Sequence, residues 1–251
     1  MAELLWGKDS PLPSPNEFVS NFTRAVDALL RAAHGKESCS YHIKLLQRMG
    51  SDDAIVTFNY DLVAERAIKK LQDVSTFGPW IYCFELRPGD AIRVPTIYKL
   101  HGSVNWRPQE RNHEFSVRQK SWKDFDQGPG YRAHSTSNST SADENPFPIL
   151  LPYWDKKVER RPWNSIWRSA AAALARTTKL IIWGYSLPLT DLKAYELFRL
   201  SLLSHDSPLE DICIIDPSKD VRTRWRSLFL RQKFWPYENI KSFQESPPSW
   251  W

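Results

Sequence analysis

Glycine, cysteine and long apolar runs are all scarce in this 251-residue chain, and each scarcity excludes something. Its three cysteines, Cys39, Cys83 and Cys213, lie far apart with no C-x-x-C pair. That argues against a structural zinc site, and it fits a reducing cytoplasm better than a disulfide framework. No stretch approaches the roughly 18 consecutive apolar residues of a membrane-spanning helix, and the opening "MAELLWGKDSPLPSP" has no apolar stretch of signal-peptide length. The expectation is a soluble, cytoplasmic protein with no membrane partner. Of nine glycines, only Gly7, Gly35 and Gly50 precede Asn59, and they form no cluster. Backbone N–H groups that approach phosphate closely need residues without a Cβ, so no glycine-rich phosphate cradle is legible there.

What is present is otherwise ordinary for a globular chain: 41% hydrophobic and 25% charged residues. The length suits a single α/β domain spanning 1–251. Twelve Trp and eighteen Pro point to loop-borne aromatics, and so to extended loops or a partner surface. A net charge of +5 and a pI near 9.0 suit an anionic ligand or nucleic acid without singling out either.

Apolar periodicity supplies the elements. "SPNEFVSNFTRAVDALLRAA" reads as a helix capped by Ser14, with Pro15 in its first turn and Gly35 closing it. A short helix is expected over His42–Met49, a strand over Ala54–Phe58, a helix in "LVAERAIKKL" and a strand in "PTIYKLHG". Residues 74–94 read as irregular, and 107–147 as a polar loop or cap insertion whose "HSTSNSTSADEN" is a mobile surface loop. Beyond it come a helix in "WNSIWRSAAAALART", a strand in "KLIIWGYS", a helix in "DLKAYELFRLSLL", a last strand in "DICIIDP" and a last helix in "SKDVRTRWRSLFL". Strands that are apolar throughout, alternating with helices, predict a Rossmann-like parallel sheet covered on both faces.

In such sheets ligands bind beyond the carboxyl ends of the strands. Four strands end in polar residues: "IVTF" at Asn59-Tyr60-Asp61, "IYKL" at His101-Gly102-Ser103, "LIIW" at Gly184-Tyr185-Ser186 and "CII" at Asp216-Pro217. The local alternatives stay open. Asn59 can bond the turn backbone, His101 can be a buried histidine tied to a carbonyl, and Asp61 can cap the following helix. Gly184 and Ser186 can serve only their turn, Asp191 reads as a helix cap, and Asp216 can either take a ribose hydroxyl or start the turn with Pro217.

"VTFNYD", "KLHGSVNW" and "IIWGYSLPLTD", in this order, resemble the sirtuin-like domain of bacterial NAD-consuming effectors, as does "ILLPYWDKKVERRPWNSIW" ahead of the third. The resemblance covers roughly 40–230 and implies a Rossmann-like fold that binds NAD as substrate and cleaves its bond to nicotinamide. It places the catalytic asparagine on Asn59 and the catalytic histidine on His101. Cofactor contacts are implied at Asp61, Gly102, Ser103, Gly184, Ser186 and Asp216. No metal is implied, because the four-cysteine zinc module of the deacetylases has no counterpart here, and NAD hydrolysis is therefore favoured over deacetylation. The implied setting is phage defence, with a protein partner or a homo-oligomer.

One departure is the missing glycine-rich loop. A start upstream of Met1, a loop supplied by a partner, or loss of NAD binding would each account for it. The last would leave a catalytically inactive scaffold. A further alternative is a nucleic-acid-binding module using "VRTRWRSLFLRQKFW", which interleaves arginines with aromatics.

Overall fold

The structure, a computed structural model, describes residues 21–22, 25–26, 28–30, 38–72, 79–82, 94–111, 114–119, 149–150, 158, 163–203 and 207–251. The first expected helix is helical at its described positions within 21–30. Its capping residues, Cys83 and the Ser/Thr-rich segment lie outside the described residues.

Helix α1 (Ser40–Leu46) leads into strand β1 (Ala54–Thr57), then helix α2 (Val63–Gln72) and a 3-10 turn at Pro79–Tyr82. Strand β2 (Thr96–Lys99) pairs parallel with β1, from Ala54↔Thr96 to Thr57↔Lys99. The 107–147 span, expected to be a loop or cap insertion, opens with an antiparallel hairpin of β3 (Trp106–Arg111) and β4 (Glu114–Gln119). Helix α3 (Trp163–Ala175), β5 (Lys179–Trp183), α4 (Leu192–Leu202), β6 (Asp211–Ile215) and α5 (Lys219–Leu228) follow in strict alternation.

The chain then departs from expectation. "DICIIDP" is not the last strand, because β7 (Lys233–Tyr237) adds to the sheet in the order β5-β6-β7, all parallel, and helix α6 (Ile240–Glu245) follows it. The segment "KFWPY" hides its strand behind a proline, which lacks the N–H that a central strand needs. Pro236 is tolerated because, among the described residues, β7 lies at the end of the ladder and is paired on one side only.

Central β6 shows why both faces must be covered. Ile212 and Ile214 enter the main core with Leu174, Leu197, Phe198 and Trp225 from α3, α4 and α5. Cys213 and Ile215 point the other way, into a second cluster with Phe243 of α6, Leu45 of α1 and the terminal Trp250 and Trp251. Burial pushes the Cys213 thiol far up from its ordinary range, as expected of a small hydrophobe rather than a reactive group.

The two parallel ladders meet at their carboxyl ends. Phe58, one residue past β1, stacks on Tyr185, two residues past β5, with ring centroids 4.2 Å apart and planes 11° from parallel. From α3, the Trp167 indole N–H donates to the Leu100 carbonyl just past β2 at 3.0 Å, fixing that helix to the same end.

Candidate active site

At the end of β1 the residues divide by role. Asn59 is exposed, and its backbone N–H donates to Thr57 Oγ1 at 3.1 Å. The Tyr60 hydroxyl donates to the Leu150 carbonyl at 2.7 Å. Burial, and then the charge of Asp191, pushes the Tyr60 phenol up to about 12. Asp61 Oδ1 accepts from the Val63 N–H at 3.0 Å, so this carboxylate starts α2 in the manner of a cap. Asp61 also opposes, by its charge, the burial that holds the His42 imidazole below its usual range.

At β2, alternate residues of "KLHGSVN" separate. Lys99 is fully buried; its Nζ bonds Glu65 Oε1 of α2 at 3.0 Å and the Asp61 carbonyl. The Tyr82 hydroxyl donates to the same Glu65 oxygen at 3.1 Å and accepts from Asn105 Nδ2 at 2.8 Å, while Ser103 Oγ donates to Asn105 Oδ1 at 2.6 Å. These five side chains form a closed buried network. Ser103, expected to touch a cofactor, directs its hydroxyl into this network.

His101 goes elsewhere. It is 4% exposed, its ring meets Phe58 edge-on at 5.0 Å, and Tyr60 lies at 6.2 Å. Its Nε2 stands 3.6 Å from Asp191 Oδ2. Its carbonyl accepts from the Leu150 N–H at 2.7 Å. Gly102 adopts φ 92°, a left-handed conformation that explains glycine at this turn, and bridges to Ile149.

Past β5, Gly184 turns the chain with φ 66°, and a Cβ there would meet nothing within 4 Å, so its surroundings are open. Its N–H donates to the Ile215 carbonyl at 3.0 Å, which brings Gly184 beside the end of β6. Ser186 is exposed, and its carbonyl accepts from Arg224 at 2.7 Å. The buried Tyr185 hydroxyl faces the Asp191 carboxylate without closing an aligned hydrogen bond; burial first, then that charge, pushes its phenol far up. Asp216 accepts the Ser218 N–H at 2.8 Å, starting the turn into α5.

The structure thus places His101 against Phe58, the residue before Asn59, and against Asp191, while Phe58 stacks on Tyr185. Gly184 and Ser186 flank Tyr185 in sequence, whereas one carboxylate oxygen of Asp61 and of Asp216 serves a local turn. Sequence reasoning did not anticipate the Glu65–Lys99–Tyr82–Asn105 network or the pairing of Asp191 with His101. A lysine inside the apolar run "TIYKL" is the signal for the first, because a charge buried in a strand demands a partner. The second had no local signal, since the two residues lie 90 positions apart in the sequence, with three strands between them.

The basic-aromatic segment is engaged within the chain. Trp225 is buried and donates to the Tyr185 carbonyl at 2.8 Å, and Arg222 bonds the Asp216 and Pro217 carbonyls. Arg226 lies over Phe234 at 5.2 Å, and Lys233 over Trp235 at 4.6 Å. Among the described residues no group of three or more His, Cys, Asp or Glu is arranged to hold a metal ion. Nor is any described helix long and apolar enough to cross a membrane.

A family model described as a SIR2-like domain matches residues 53–229, well over half of the chain. The chain belongs to the SIR2-like domain family. The match begins one residue ahead of β1 and ends just past α5, so the SIR2-like segment includes every strand end described above, while β7 and α6 lie beyond it. An NAD-related function follows in general terms. Two solved structures, Sir2Tm bound to a propionylated peptide and Sir2 bound to an acetylated peptide, align over 92% of this chain and over 78% and 76% of theirs. Each is 14% identical, with a TM-score of 0.42. No curated protein matches the chain.

Proposed function

We propose that this SIR2-like domain binds NAD across the carboxyl ends of β1, β2, β5 and β6 and hydrolyses it to nicotinamide and ADP-ribose. The observation that carries the reading is that, within a SIR2-like match, His101 meets Phe58 and Tyr60, the two residues that flank exposed Asn59. Nicotinamide on ribose is already a cationic leaving group and needs no general acid. In the proposed step a water oxygen bonds the ribose anomeric carbon while the glycosidic C–N bond breaks. The bonding pair leaves with nicotinamide, which becomes neutral, and the water proton passes to His101. A histidine near neutral pH accepts such a proton. An asparagine amide both donates and accepts, so Asn59 is suited to fix the ribose or the water without adding charge.

Hydrolysis is preferred to deacetylation because three cysteines cannot furnish a four-cysteine zinc module. The setting we propose is phage defence in the cytoplasm, with a partner or a second copy as trigger, by the likeness of the motifs to NAD-consuming effectors. The scarcity of glycine before Asn59 favours a second reading, an inactive scaffold, and limits the first: we expect the isolated chain to bind NAD with a dissociation constant on the order of millimolar, about −4 kcal/mol. Incubating the protein with NAD and measuring nicotinamide release is the test. Release that is lost in both His101→Ala and Asn59→Ala, with the fold retained, supports hydrolysis; release retained in either variant rejects the assignment. Micromolar binding by calorimetry would show that side chains replace the glycine cradle.

A further inference from the structure

Asp191 carries one contact that a helix cap alone does not need. Oδ1 accepts the Ala194 N–H at 3.2 Å and so caps α4; Oδ2 stands 3.6 Å from His101 Nε2, with both side chains buried. The backbone of Asp191 is pinned as well, donating to the Pro188 carbonyl at 2.9 Å and accepting from the Tyr195 N–H at 3.0 Å. A carboxylate at a helix N-terminus is favoured as the anion, because the unpaired N–H groups and the helix dipole stabilise negative charge there. The cap therefore fixes the second oxygen in direction. That oxygen faces a ring that also meets Phe58 edge-on and Tyr60.

We propose that Asp191 is the positioning residue of His101: it holds the imidazole ring and stabilises the imidazolium formed when the ring takes a proton. The proposal rests on the hydrolytic reading for its chemistry, though the pairing itself does not. Among the described residues, ionisable groups at the ring or at its partner include Tyr60 past β1, Asp191 at α4, and Tyr185 past β5, which faces the Asp191 carboxylate. From α3, Trp167 contributes only an indole N–H to the Leu100 carbonyl. Asp191 is the one carboxylate among these groups, and an opposite charge within about 4–6 Å favours the charged form of a histidine.

The test uses Asp191→Asn, with Asp191→Ser as a second variant, because both residues cap helices about as well as aspartate. A cap-only role predicts no change at His101 in either. We expect the His101 ring signals in NMR to titrate at a midpoint lower by roughly one pH unit, about tenfold in proton affinity, in whichever variant folds. In protein that cleaves NAD, kcat should fall about 10²-fold with KM nearly unchanged, and the acidic limb of the rate profile should move to lower pH. An unmoved His101 midpoint overturns the proposal, and so does a moved midpoint with undiminished turnover. Wild-type protein that never releases nicotinamide while the midpoint shifts would reject the hydrolytic reading and leave the pairing standing.

Discussion

Two polar clusters grow from the same short segment, "KLHGSVN", and they are opposites. One points toward α2 and the 3-10 turn: Lys99, Ser103 and Asn105 join Glu65 and Tyr82 in a network closed to solvent, each member bonded to another. The other points toward the strand ends: His101 meets Asp191, Phe58 and Tyr60, and exposed Asn59, Gly184 and Ser186 are the chain neighbours of Phe58 and Tyr185, which stack on each other. Polar groups in a low-dielectric interior are stable only when fully paired, so a closed cluster is scaffold, whereas groups left facing solvent at strand ends are available to a ligand. A motif read as one functional string is thus two structures, and the predictions are arranged to pull them apart.

The largest effect should come from the buried ion pair. Lys99 and Glu65 are each 1% exposed, 3.0 Å apart. Lys99→Met removes one charge and leaves buried Glu65 with the Tyr82 hydroxyl but without its cation, and breaking a buried pair in this way typically costs about 3–5 kcal/mol. Chemical denaturation should show a loss in this range, about 4 kcal/mol. Removing both partners, Lys99→Met with Glu65→Leu, should cost less than Lys99→Met alone. A double variant less stable than the single would mean that the network holds the fold by more than charge compensation.

Most of the parallel architecture could be read from the sequence, because it is written in short-range patterns: apolar β1, β2, β5 and β6 with polar ends, amphipathic helices between them, Ser218 capping α5 and Asp191 capping α4. What could not be read depended on position in space. Pro236 forbids a central strand but not an edge one, and only the finished sheet reveals which β7 is. Glu65 lies three residues from both Leu62 and Ile68, and so on the buried side of α2; that is a legible anomaly, but its partner sits on another strand. Of the candidate site, the strand ends were legible as positions. Which side chains turn inward was not, since the alternation of Lys99, His101 and Ser103 is broken by the left-handed Gly102.

A smaller effect should separate the clusters by pH. Tyr60, at the site, is held up to about 12 by burial and by Asp191, against about 10 when unfolded. The folded state keeps this proton more tightly, so its contribution is complete below pH 10 and lost as pH rises through 12. Two units correspond to about 2–3 kcal/mol. Tyr82, in the closed network, is raised in the same direction by burial and by Glu65. Stability should therefore fall steeply above pH 10, and Tyr60→Phe should flatten part of that fall. An unchanged alkaline slope in Tyr60→Phe would show that the phenol titrates no differently in the fold than in the unfolded chain.

The smallest effect is also the sharpest, because it sets two serines from two motifs against each other. Ser103 is buried and donates to Asn105 Oδ1 at 2.6 Å, so Ser103→Ala leaves a buried amide oxygen without that donor. Such a loss costs about 1–2 kcal/mol. Ser186 is exposed, and its tie to Arg224 runs through the backbone carbonyl, which alanine retains. Ser186→Ala should therefore change stability by no more than about 0.5 kcal/mol. If the strand ends hold NAD, ligand sensitivity should be reversed: Ser186→Ala weakens NAD binding in calorimetry several-fold, while Ser103→Ala leaves it unchanged at temperatures where the fold is intact. Weakened binding in Ser103→Ala with full stability would place that hydroxyl in the site and dissolve the distinction between the clusters. Two destabilised variants with equal affinity would instead mean that both serines belong to the scaffold.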